Sequence, residues 1–220
     1  MQRLFGCNFV EFAAYIDSLN EGRKVLVEQM SGTLVTIAKD VKIQVEFNPA
    51  QVNSYRLIGY ENRLLAKEDF NNDKKDAGEI GAGHTVTALY EVVPAGITPD
   101  ESPGVDPLKY QRPARPAVVS GSDELLTLKL RYKQPDGDTS RLLTTVVKDM
   151  DKGYGSASTD FKFAAAVAEF GMILRDSPYM GDATLNSAWE RTKASLGNDP
   201  EGYRAEFLTL IETAKRLSGK

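Results

Sequence analysis

The feature that most constrains the fold is a change of hydrophobic period near Asp151: apolar residues recur at every second position before it and at roughly 3.6-residue intervals after it. Before it, Val41, Ile43, Val45 and Phe47 alternate with Lys42, Gln44 and Glu46, which predicts a strand with one buried face ending at Asn48 and Pro49. Leu126, Leu128, Leu130 and Tyr132 alternate in the same way with Thr127, Lys129 and Arg131. Gln134, Pro135, Asp136 and Gly137 then supply turn chemistry, and Leu142, Thr144 and Val146 lead back, so this stretch reads as a hairpin.

After Asp151 the residues change role. Asp160 is placed to cap a helix carrying Phe163, Val167, Phe170 and Leu174, and Asp182 to cap a second with Leu185, Ala188, Trp189 and Leu196. Asp199 and Pro200 open a third, with Tyr203, Phe207, Leu210, Ile211 and Ala214 on one stripe. Strands first and helices last give an α+β class: an antiparallel β-sandwich-like module over residues 33–150, with a C-terminal three-helix segment over 151–220 packed on it. Six of the ten prolines fall within residues 94–116, which reads as a loop excursion from the sheet rather than a domain boundary. Ahead of the module, residues 13–16 read as a short strand, and Asp17 as the cap of a helix bearing Leu19, Val25, Leu26 and Met30.

Between the first strand and the proline-rich excursion stands the run YRLIGYENRLLAKEDFNNDKKDAGEIGAGHTVTALYEVVP, residues 55–94. Residues 55–60 have strand composition, and from His84 onward Val86, Ala88, Tyr90 and Val92 alternate with Thr85, Thr87 and Glu91. The connection between them is charged and then glycine-rich, which reads as a long exposed loop closed by Gly78, Gly81 and Gly83 as turn or bulge glycines.

This loop holds the densest titratable groups in the chain. Asp69, Asn71 and Asp73 reproduce the opening of a calcium loop, but Lys74 stands where the sharp-turn glycine belongs and Ile80 where the bidentate glutamate belongs. The glycine cluster lacks the helix and P-loop lysine of a phosphate cradle. His84 is the sole histidine and Cys7 the sole cysteine, which excludes Cys/His zinc sites and leaves no internal disulfide. Twenty-seven basic against 31 acidic residues give a net charge of −4, which argues against nucleic acid as a partner. No run of 18 apolar residues occurs, so no membrane span is expected, and the first dozen residues lack a secretory-signal pattern.

Residues 55–94, together with AYIDSLNEGRKVLVEQMSGTLVTIAKDVKIQVEFNPAQV (residues 14–52) and FKFAAAVAEFGMILRDSPY (residues 161–179), resemble the segment that follows the von Willebrand factor type A domain in a group of bacterial proteins. The resemblance implies a companion domain in a surface or envelope protein, hence an extracytoplasmic setting. It also implies that residues 1–32 correspond to the last strand and helix of an A domain otherwise absent from this chain. The A domain's Asp-x-Ser-x-Ser metal motif does not occur here; the nearest run, Asp138, Thr139 and Ser140, is followed by Arg141 and Leu142. The expectation is therefore a non-catalytic protein-interaction or structural module with no cofactor. Its partner is a protein, and the partner-binding loop comprises Glu68, Asp69, Asp73, Asp76, Glu79 and His84. The alternatives are calcium-dependent ligand binding at Asp69, Asn71 and Asp73, or a hydrolase using carboxylates of residues 68–84.

Overall fold

A computed structural model describes residues 2–6, 16, 18–29, 35–59, 64–97 and 122–219. The chain divides into two compact units, Met1–Asp149 and Met150–Lys220. The proline-rich excursion, apart from its first residues, and residues 13–15 of the strand expected at 13–16 lie outside the described residues.

The first unit is built around β2 (Thr36–Phe47), twelve residues long. One of its edges pairs antiparallel with β7 (Glu124–Lys133), which in turn pairs with β8 (Ser140–Lys148) through the hairpin. The other edge is shared by two partners: β5 (Gly78–Gly81) along residues 36–41, and β1 (Gln2–Gly6) along residues 42–46. β4 (Leu64–Leu65) adds two residues outside β1, giving the order β4-β1-β2-β7-β8. β3 (Val52–Ile58) and β6 (Leu89–Pro94) form a separate antiparallel ribbon.

Alternation along β2 puts Ile43, Val45 and Phe47 on one face, beside Leu130, Leu128 and Leu126 of β7. The ribbon covers that face. Val45, Phe47 and Val52 form the buried centre, with Tyr55, Tyr90 and Val92 packed on it. Phe47 lies 4.3 Å from the Tyr55 ring and meets Tyr90 edge-on at 5.3 Å between centroids, a geometry that favours aromatic pairs. These are two β layers around one core, and with the helices of the second unit they make an α+β protein.

The sequence pattern misplaced several elements. Gln2–Gly6 is a strand of the main sheet, paired antiparallel with β2. α1 (Leu19–Arg23) runs on into a π turn at Lys24–Glu28, and Ser18 caps it by accepting from the Glu21 amide at 3.1 Å. No residue of this segment is buried. The second strand of the 55–94 run begins at Leu89, not His84, and residues 85–88 are exposed.

The second unit contains α2 (Thr159–Leu174), α3 (Leu185–Ala194) and α4 (Tyr203–Ser218). Phe170, Ala188 and Ile211 meet at its centre, one from each helix, surrounded by Ile173, Leu185, Trp189, Phe207 and Ala214. Ser158 and Thr184 cap α2 and α3, displacing the expected Asp160 and Asp182. Thr184 and Ser187 form a reciprocal capping box. Asp160 instead pairs with Arg204 of α4, while Asp199 accepts from the Ala205 amide at 2.9 Å and so does serve the start of α4. The buried carboxylate of Glu169 joins α2 to α3 by accepting from Ser187 at 2.5 Å and pairing with Arg191 at 3.0 Å.

Candidate functional site

The acidic loop is held against the polar face of the main sheet. Its one aromatic residue, Phe70, is 4% exposed and sits under the Arg131 guanidinium, 5.8 Å from the ring centroid. Around this anchor, cations from β2 and β7 reach the loop one after another. Lys42, itself 1% exposed, donates to the Asn72 carbonyl at 2.5 Å, and Lys133 donates to the Asp73 carbonyl at 3.0 Å. Arg131 donates through Nη2 to Asn71 Oδ1 at 3.2 Å and through Nη1 to Ser140 Oγ at 2.5 Å. Ser140 passes that polarisation on by donating to Asp73 Oδ1 at 2.7 Å, with Arg131 3.6 Å from the same oxygen.

Asp40 completes the arrangement from within β2. It has left-handed backbone geometry (φ 52°), which Asp tolerates better than most residues, and it lies where β2 carries extra residues relative to β5. Its carboxylate pairs with Lys133 at 2.6 Å and accepts from the Ala77 amide at 3.2 Å, which fixes the loop's exit. Ala77, Gly78 and Gly81 are buried beside this bulge. The glycines read from sequence as turn residues therefore belong in part to a strand, and only Gly83 turns with positive φ, at 80°.

Ionisation follows from these contacts. Partial burial by itself raises the Asp40 carboxyl, but hydrogen bonds from Lys133 and the Ala77 amide outweigh it and hold the group below the ordinary value of 3.8. Asp73 is also held below it, chiefly by the Ser140 hydroxyl and then by Arg131. Desolvation lowers Lys42, partly offset by Asp40 and Asp73, and the bond to Asp40 raises Lys133. The arrangement is a set of fixed charges in mutual contact.

The six residues expected to form a partner-binding loop are engaged in different ways, Asp69, Asp73 and Asp76 acting on Asp40 and Lys42. Asp69 and Asp73 are engaged with Lys75 and with Arg131 and Ser140. Glu79 lies on β5 and accepts from Thr36 at 3.2 Å, and His84 follows the next turn. Glu68 and Asp76 are exposed. The oxygens proposed as calcium ligands face protein cations: Asn71 Oδ1 and Asp73 Oδ1 both meet Arg131, and Asp69 lies 4.0 Å from Lys75. A depression of about 140 Å³ near Phe47, Asn48 and Leu126, and an open one of about 470 Å³ at the β7–β8 turn, are not lined by residues 68–84. Sequence reasoning missed Asp40, Lys42, Arg131, Lys133 and Ser140. The readable signal was Lys129, Arg131 and Lys133 on every second position of β7, which makes one face cationic.

A two-layer antiparallel β unit with a clamped acidic loop, followed by a three-helix unit, describes the class of this protein. By sequence, the chain belongs to the family described as "Uncharacterized protein YfbK, C-terminal", whose model matches residues 32–217. It is 44% identical over 201 residues to "Uncharacterized protein YfbK" of Escherichia coli (strain K12), a match covering 91% of this chain and 34% of that protein. The chain thus spans about a third of the length of that relative. No solved structure matches it.

Proposed function

We propose that this chain is a non-catalytic interaction or structural module of an envelope-associated protein that carries a von Willebrand factor type A domain, with its working surface on the exposed rim of the clamped loop. The observation that carries this reading is the pairing of Asp40 and Asp73 with Lys133, Arg131 and Ser140. A carboxylate hydrolase needs one carboxyl protonated near neutral pH to act as acid, whereas both of these are held ionised. Calcium binding would require a divalent ion to displace Arg131 from Asn71 and Asp73. Glu68 and Asp76 remain at the rim, where they offer negative charge to a protein surface.

The test is in-cell photo-crosslinking of the full-length native protein, with the crosslinking residue at Asp76 or at Glu68, followed by cell fractionation. The expected result is a discrete adduct with a protein of the envelope fraction from at least one position. Fractionation wholly with the cytosol, or no adduct from either position, would overturn the reading.

A further inference from the structure

We draw no further inference here: the strongest candidate, the edge strand β8 with Leu142, Leu143, Val146 and Val147 exposed and no neighbour beyond it among the described residues, carries nothing because nothing in the structure shows what covers it.

Discussion

Lys42→Met separates a clamped loop from a loop that merely rests on the sheet. The substitution keeps most of the buried stem but deletes the ammonium that donates to the Asn72 carbonyl. A charge-assisted hydrogen bond contributes about 1.5–3 kcal/mol net, and its removal leaves a loop carbonyl without its donor. Against that loss stands relief from desolvation, since Lys42 is 1% exposed and burial disfavours its charged form. Asp40 and Asp73 retain Lys133, Arg131 and Ser140, so no carboxylate is stranded. The balance is a destabilisation of about 2 kcal/mol, equivalent to roughly 4–8 °C in the melting temperature of a unit this size. Hydrogen exchange should show lost protection at the loop amides, including that of Ala77, before the β2–β7 ladder opens. An unchanged melting temperature together with unchanged loop protection would refute the claim that Lys42 holds the loop.

Other outcomes follow from the same contacts. Asp40 and Asp73 have folded-state values lowered from 3.8, so the stability they contribute is fully present above that value and is lost as pH falls through the lower folded values. An acid unfolding curve of Asp40→Asn should therefore be shallower in that window than the wild type's, and a superimposable curve would count against it. In the helical unit, Glu169→Ala removes the acceptor shared by Ser187 and Arg191 and should cost about 2 kcal/mol; a melt of the whole chain monitored at Trp189 checks this. Ile211→Ala empties a site with no solvent exposure and should cost about 2–5 kcal/mol, measured by urea denaturation. Calorimetric titration with calcium should give no binding heat, since Arg131 faces both Asn71 and Asp73; saturable heat would reopen the cation reading.

The strand pattern of β7 and β8, the helical period after Asp151 and the apolar face of β2 were all legible, because each is written in spacing a few residues long. The other face of β2 was not. Lys42 and Gln44 read as solvent-facing by alternation, yet they are 1% and 6% exposed. Lys42 is sealed by Asn72, thirty residues downstream, and no local period carries that contact. The same applies to Gly78 and Gly81, which look like turn residues until β2 supplies an edge. The expected caps missed for a smaller reason: Ser158 and Thr184 stand within two residues of Asp160 and Asp182, and a hydroxyl took each amide while Asp160 turned to Arg204. Phe70, the lone aromatic in a polar run, was the available clue that the loop is anchored.

The central claim, that the carboxylates of this cluster are fixed structural charges rather than working acids or cation ligands, is tested most directly by a carbon-13 NMR titration of the Asp40 and Asp73 carboxyls. Both should titrate below 3.8 and stay there when calcium is added. A value raised above the ordinary range for either group, or a calcium-dependent shift at Asp73, would contradict the account.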